Sequence, residues 1–421
     1  MPMPTTALHG AGLTPAPAPA PAPRLSHAFA ALVLALLMGL QPITTDLMLP
    51  ALPALAADLH AGMAPVQLTM AALILAFGLA QLVWGPVTDR LGRRPVLLLG
   101  LALYVAASLG AALASQVSAV VAWRALQGAA MSAAVVCARA MVRDLYEPHE
   151  GGMVMARALT GLGAIAIVSP VVGGLLVTAM GWRAAVGAMA VVGVALGLFV
   201  ALRLPETIRQ RRPDATQLRP LLRQIGTTLR HPGFRAWALL VSFSYGGIFI
   251  FLSSSGFVLI KVLGLGPTQA GVVMGTCSLA YICGTLLCRR WIPPLGLAGA
   301  VGRAAGFSLA ACLAFAVLAA TDARSVWAVM LPVWLYALGH GVHQPCGQAG
   351  AVGPFPKAAG LATALAGFVT ALLAFVTGLW LGQALDGTVR PFAIAMGTAA
   401  GLAALVAWTL VRRHGEHLHA P

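Results

Sequence analysis

Residues 85–94 read GPVTDRLGRR, a short charged segment between two long apolar stretches. Four of its ten side chains are ionised, although charged residues make up only 9% of the chain. Hydrocarbon excludes unpaired charge, so a segment of this kind lies at the boundary between membrane and water. It therefore predicts two membrane-spanning helices joined by a tight, charged turn.

The composition of the whole chain extends this prediction. Of the 421 residues, 59% are hydrophobic, and the mean hydropathy is +0.89, which exceeds what a soluble domain can bury. A helix needs roughly 20 apolar residues to cross a bilayer. We therefore predict an all-α integral membrane protein with twelve transmembrane helices, at residues 27–48, 66–87, 95–115, 118–142, 152–179, 182–203, 234–260, 268–288, 299–320, 325–348, 358–384 and 390–411.

A polar, arginine-rich segment divides these spans into two sets of six. We predict an N-terminal six-helix bundle at 27–203, a cytoplasmic linker at 204–233 and a C-terminal six-helix bundle at 234–413. Residues 1–26, rich in proline and alanine, and residues 414–421 are predicted to be cytoplasmic tails, the first of them disordered. Two equal helical bundles predict a transporter that binds its substrate near the midplane between them.

Basic residues determine the predicted orientation. Twenty-one of the 26 Lys and Arg residues fall on the side of the linker, four on the other side and one, Arg124, inside a span. Because cytoplasmic loops carry the excess of Lys and Arg, both termini are predicted to be cytoplasmic. A net charge of +15 that follows topology in this way indicates contact with a lipid bilayer and argues against nucleic-acid binding.

The charged segment also has a recognisable pattern, carried by Gly85, Asp89, Arg90, Gly92, Arg93 and Arg94. It resembles the signature between the second and third helices of the major facilitator superfamily. Residues 46–53, 124–128 with Arg143-Asp144, and 169–174 are similar to the bicyclomycin/chloramphenicol-resistance (Bcr/CflA) branch of its drug/proton antiporters. Met48 and Ser169 depart from the usual motifs of that branch, so substrate identity does not transfer with the resemblance.

The resemblance implies a major facilitator fold in a bacterial inner membrane, exporting small, moderately hydrophobic drugs in exchange for protons. The protein would act as a monomer without a cofactor, with the proton gradient as its energy source. An exporter or proton-coupled importer of an endogenous metabolite is the main alternative, and a membrane-embedded sensor or channel is another. The chain contains no Walker loop, zinc-protease His pair or nucleophile elbow, so an enzyme is not expected.

In the family, the charged segment acts as a conformational motif. Gly85 would let the second helix approach a neighbour closely. Asp89 would face the N-terminal end of the eleventh helix, and the arginines would reach acidic partners such as Asp144. These contacts would hold the inner face shut until the halves rock. The simpler alternative is that the arginines only determine topology.

The fifth predicted span carries a second motif, consisting of Pro170, Gly173 and Gly174. The proline removes a backbone hydrogen bond and predicts a kink. The two glycines predict tight contact with another helix near the outer face. In the family this segment characterises antiporters, although ordinary glycine packing is an alternative explanation.

Arg124 is the one basic residue well inside a span, and Asp46 lies at similar depth near the outer end of the first span. We expect them to pair directly or through water, with Gln127 one turn along on the Arg124 face. Ionisable residues inside membranes are costly and usually functional. We hypothesise that Asp46 takes up a proton outside and releases it inside. Arg124 would stabilise the ionised form of Asp46 until its environment changes. Asp46 and Gln127 are also predicted to contact substrate. A solvated Asp46 and a structural Arg124 are the alternatives.

The remaining substrate-binding candidates lie in the second half. Tyr245 and Phe249 on the seventh span would supply aromatic walls, although plain packing is a common role for such residues. His340 and His343 lie three residues apart on the tenth span, on roughly one helix face. No carboxylate joins them, so we predict a polar stripe that lines a cavity or contacts another helix rather than a metal site.

Overall fold

The computed structural model describes residues 26–208, 211 and 216–415. Within these ranges the regular structure is entirely helical. The predicted tails lie outside the described residues, apart from Ser26 and residues 414–415. The helices are α1 (His27–Asp46), α2 (Leu52–Asp58), α3 (Met63–Leu91), α4 (Arg93–Leu113), α5 (Val117–Leu145), α6 (Pro148–Met180), α7 (Trp182–Arg203), α8 (Leu218–Arg230), α9 (Pro232–Gly256), α10 (Pro267–Thr321), α11 (Val326–Val352), α12 (Ala359–Ala384), α13 (Arg390–Val406) and α14 (Arg412–His414).

The twelve predicted crossings are confirmed, although one pair shares a single long helix. In the described part of the chain, 11 helices are long and apolar enough to cross a membrane. One of them, α10, has 55 residues, or about 80 Å at the helical rise, which is more than two bilayer cores. Its backbone turns at Gly296 (φ 66°), directly after Pro293 and Pro294. The helix therefore crosses twice, before and after this break.

The crossings form two bundles. Helices α1–α7 pack together, chiefly α3 on α5, α4 on α5 and α7, and α1 on α6, while α9–α13 form the second bundle around the contacts of α10 with α11 and α13. Glycines bring backbones close within each bundle: Gly128 faces the backbone of Leu73, and Gly284 faces that of Leu338. Small residues at such contacts are typical of membrane helices, because they maximise packing between backbones.

One face of the protein carries the linker and the charged segment. The guanidinium of Arg90 donates a hydrogen bond to Thr216 of the linker at 3.1 Å. The ring of His27, at the start of α1, lies 5.4 Å from that of Tyr146. We call this side the linker face and the other side the opposite face. The distribution of basic residues predicts that the linker face is cytoplasmic.

The linker contains one further helix, α8, which is too short and too basic to span. It has 13 residues and contacts the bundle through α9 and α12. Helix α9 begins at Pro232, only two residues after α8 ends at Arg230. The helix α8 is therefore fixed beside the end of a spanning helix.

Candidate functional site

A cavity of about 880 Å³ separates the two bundles at the linker face. Its walls are the end of α3, the end of α5 with the start of α6, the start of α12, and part of α8. The polar and charged side chains on these walls include Gln81, Asp89, Arg93, Arg139, Arg143 and Asp144. A space of this volume lies within the size range of small-molecule pockets in proteins.

At the opposite face the bundles are packed together through α6 and α10. Gly271 lies against the backbone carbonyl of Pro170, and Gly174 lies against the backbone of Pro267 and Thr268. The hydroxyl groups of Thr178 and Thr268 are 3.1 Å apart across the same contact. The predicted tight packing of the glycine motif is confirmed here. Helix α6 nevertheless runs through Pro170 without an interruption.

Helix α3 makes the second contact between the bundles. The fully buried Gln67 donates a hydrogen bond across the interface to the backbone carbonyl of Ser253 at 2.6 Å. Further along, Gly382 of α12 packs against the backbone of Ala64. In the described part of the chain, the bundles are therefore packed together in the opposite half and separated by the cavity at the linker face.

The charged segment forms a compact ion-pair cluster at the cavity wall. Arg93, 6% exposed, donates to Asp89 at 2.6 Å and to Asp144 at 2.8 and 3.4 Å. The predicted contact between an arginine and Asp144 is therefore present. Asp89 has Arg93 as its hydrogen-bond partner rather than the first turn of α12, which lines the cavity across from it.

Glu206, which the sequence analysis missed, caps the helix that follows the motif. Its carboxylate accepts hydrogen bonds from the backbone N–H groups of Arg93 at 2.9 Å and Arg94 at 3.2 Å. An anion at a helix N-terminus accepts hydrogen bonds from backbone N–H groups that have no partner within the helix, and it is stabilised by the positive end of the helix dipole. The available signal in the sequence was a single acidic residue shortly after the sixth predicted span. Only the packing of α7 on α4 brings this residue to the charged segment.

The two glycines of the motif have different environments. Gly92 has φ 109°, and a Cβ atom there would collide with the Glu206 carboxylate. Gly85 has no neighbouring atom within 4 Å of a Cβ position. The predicted close approach at Gly85 is therefore wrong for this conformation, because the cavity lies beside that part of α3.

Arg124 is fully buried inside the first bundle. Its guanidinium donates two hydrogen bonds of 3.1 Å to the backbone carbonyl of Thr44 and one of 2.6 Å to Gln127. Gln127 in turn donates to Ser108 at 2.6 Å. The predicted placement of Gln127 beside Arg124 is thus correct, and the network ties α5 to α1 and α4.

Asp46 ends α1 at a position that is only 8% exposed. Its carboxylate accepts a hydrogen bond of 2.6 Å from Thr45. It forms no ion pair with Arg124, which contacts the chain two residues earlier; the expected direct pairing is therefore wrong for this conformation. Three residues further along the chain, the backbone carbonyl of Leu49 lies against Gly256 of α9 in the second bundle. Asp46 is thus a buried carboxylate close to a contact between the bundles.

The other substrate-binding candidates lie inside the second bundle. His340 shares a hydrogen bond of 2.8 Å with Ser244, and His343 is fully buried. Phe249 is buried and packs against Gly378, whereas Tyr245 is half-buried. None of the predicted substrate contacts lines the 880 Å³ cavity in this conformation. Their role in binding remains a prediction.

Comparisons with known proteins agree with this architecture. Residues 34–378 match the Major Facilitator Superfamily. The chain is 31% identical to "Multidrug resistance protein D" of Escherichia coli over 79% of this chain and 83% of the relative. It is 30% identical to the "Chloramphenicol resistance protein" of Pseudomonas aeruginosa over 81% of each chain. The crystal structure of a D-xylose–proton symporter superposes with a TM-score of 0.72 at 18% identity, covering 91% of this chain and 98% of the symporter.

The family match covers most of the chain, including the charged segment and both bundles. The structural match extends the likeness to nearly the full length of a solved transporter. Both agree with the prediction drawn from GPVTDRLGRR and its neighbouring motifs. The chain belongs to the major facilitator superfamily and is a multi-pass membrane transporter rather than an enzyme.

Proposed function

We propose that the chain is a proton-coupled antiporter that exports small, moderately hydrophobic drugs across a bacterial inner membrane by alternating access. The observation that carries the proposal is the cavity, open at the linker face and closed by packing at the opposite face. Alternating access requires two such states, one for each side. The names of the relatives favour cargo of the chloramphenicol kind, and the sequence resemblance favours bicyclomycin-like compounds as well.

Asp46 is the group that we assign to proton coupling. It is buried close to the contact that Leu49 makes with Gly256 of the second bundle, so rocking of the bundles changes its hydration and its neighbours. Both changes alter the relative stability of the protonated and ionised forms. Arg124 acts through the carbonyl of Thr44 and positions the end of α1 that carries Asp46.

One proton supplies enough energy for useful export. A charge that crosses the membrane with the potential releases about 2.3 kcal/mol per 100 mV. A combined proton-motive force of about 150 mV then gives about 3.5 kcal/mol, and each 1.4 kcal/mol is a factor of ten in concentration. A single proton therefore sustains a gradient of a few hundredfold for a neutral drug.

The test uses purified protein in proteoliposomes, with chloramphenicol transport measured under an imposed pH gradient. We expect counter-movement of drug and protons, loss of coupling in Asp46→Asn, and normal coupling in the control Asp386→Asn, which alters an exposed loop between α12 and α13. Full proton-driven export by Asp46→Asn would refute the assignment of Asp46. Drug movement with the protons would support the importer alternative and refute antiport.

A further inference from the structure

Helix α8 presents an arginine stripe that has no function in the transport cycle described above. Arg219, Arg223 and Arg230 are all exposed. At 100° per residue they fall within an arc of about 40° on the helix surface. Helix α8 contains no acidic residue, and no ion pair involves these arginines among the described residues.

Apolar side chains border the stripe on one side. Leu222 is 55% and Leu229 is 38% exposed, and both lie about 80° to 100° around the helix from the stripe. On the remaining side, Thr228 is buried and Leu221 is half-buried against the protein. A short helix with adjacent basic and apolar surfaces, both exposed, is suited to the interface of a membrane.

A groove of about 530 Å³ borders the first two arginines of the stripe on the side away from the leucines, and it is lined by Arg219, Pro220, Arg223, Gln224 and Thr227. Guanidinium groups bind phosphate oxygens in a bidentate manner, and a hydroxyl group adds a neutral donor. The other end of α8 joins α9 at Pro232, so the groove lies near the water boundary of a spanning helix.

We propose that the arginine stripe of α8 is a binding site for the headgroup of an anionic phospholipid. The arginines hold the phosphate group, and Leu222 and Leu229 contact the upper acyl chains. Charge complementarity and the adjacent apolar surface select a lipid rather than a soluble phosphate ester.

Lipid binding at this site is linked to the transport cavity. Pro220, Leu221 and Gln224 of α8 also line the 880 Å³ cavity. A headgroup that immobilises α8 therefore stabilises the cavity wall in the conformation open to the linker face. Anionic lipid is then expected to favour that conformation over the one that is open to the opposite face.

The experiment compares phosphatidylglycerol with phosphatidylcholine bound to the full-length protein, measured by native mass spectrometry. An arginine near an anionic surface contributes about 1 kcal/mol, or about fivefold in affinity, so replacing three lowers affinity on the order of 100-fold. We expect this loss in the triple variant Arg219→Gln, Arg223→Gln, Arg230→Gln and partial recovery in the triple Lys variant, which restores the charge but not the bidentate geometry. The matched control replaces Arg289, Arg290 and Arg303, three exposed arginines of α10 near the linker face, with Gln and should retain phosphatidylglycerol.

Two results would overturn the proposal. Equal loss of phosphatidylglycerol in the control variant would mean that net charge, and not the α8 stripe, holds the lipid. Competition by soluble glycerol phosphate at the same concentration as the lipid would assign the groove to a soluble ligand. The elution volume in size-exclusion chromatography verifies that each variant is folded before binding is compared.

Discussion

Replacing Gly271 by alanine should open the opposite face of the transporter. In the packed contact, a Cβ atom at this position would lie 3.0 Å from the carbonyl carbon and 3.3 Å from the Cα atom of the facing residues 170 and 171, and closer still to the carbonyl oxygen. These are backbone atoms, which cannot rotate away. Carbon atoms need about 3.5 to 4.0 Å, so α6 and α10 must separate by about 0.5 to 1 Å.

The expected magnitude follows from this separation. Overpacking by one methyl group costs about 1 to 3 kcal/mol, and only the conformation in which α6 and α10 touch bears this cost. The equilibrium between the two conformations then shifts about 5- to 150-fold toward the state that is open at the opposite face. The helix-propensity gain from glycine to alanine, about 1 kcal/mol, is common to both states and cancels.

Spin labels measure the shift directly. Ser115 and Ser325 are exposed in loops at the opposite face of the first and second bundle, so cysteines placed there, in a background without native cysteines, report their separation by pulsed electron spin resonance. Gly271→Ala should populate longer distances. Gly306→Ala is the matched control, because it lies in α10 with no atom within 4 Å of a Cβ position. Identical distance distributions for the two variants would refute the reasoning.

Three further substitutions test other contacts. Gln67→Leu removes the hydrogen bond from α3 to the carbonyl of Ser253 in α9. It should shift the equilibrium between the two conformations by about 1 kcal/mol, or fivefold. An unchanged distribution of spin-label distances would show that this hydrogen bond does not stabilise the closed opposite face. Arg93→Gln leaves the carboxylates of Asp89 and Asp144 without their shared cation and should lower the free energy of unfolding by about 3 kcal/mol. The control Arg90→Gln alters an exposed arginine and should change it by less than about 0.5 kcal/mol. Equal melting temperatures of the two variants in detergent would contradict this prediction. Gly92→Ala should destabilise more than Gly181→Ala, since both glycines have positive φ but only Gly92 faces a carboxylate; the thermal unfolding of the two variants should differ by about 1 kcal/mol or more.

The spans and the charged motif were predictable because their causes are local. Length and apolar composition determine whether a helix crosses a bilayer, and the pattern from Gly85 to Arg94 carries its own family signature. Even the break in α10 has a local signal in Pro293, Pro294 and Gly296. From the sequence, residues 289–298 are expected to form a connection between two spans, because prolines and basic residues there are typical of a turn. In the structure, helix instead continues up to the break from both sides.

The partners of the buried charges were less predictable. Counting residues from the ends of the spans places Asp46 and Arg124 at similar depth in the membrane. This count does not determine how each helix is rotated about its axis, and so which neighbour each side chain meets. In the structure Arg124 faces the backbone of Thr44, whereas the carboxylate of Asp46 accepts its hydrogen bond from Thr45. Glu206 escaped notice for a similar reason, because its partners lie more than 100 residues away in sequence.

The amino-acid sequence by itself determined the class of protein, the number of crossings and the segment that carries the family signature. These properties follow from the cost of placing charge and unpaired backbone groups in hydrocarbon, which is decided residue by residue along the chain. Only the tertiary structure decided that the cavity opens at the linker face, that Gly85 has open space beside it while Gly271 is tightly packed, and that α8 exposes its arginines. Those features depend on which of the alternative packings the two bundles adopt. The packings differ by small free energies that are summed over the whole interface, so no local stretch of sequence predicts them.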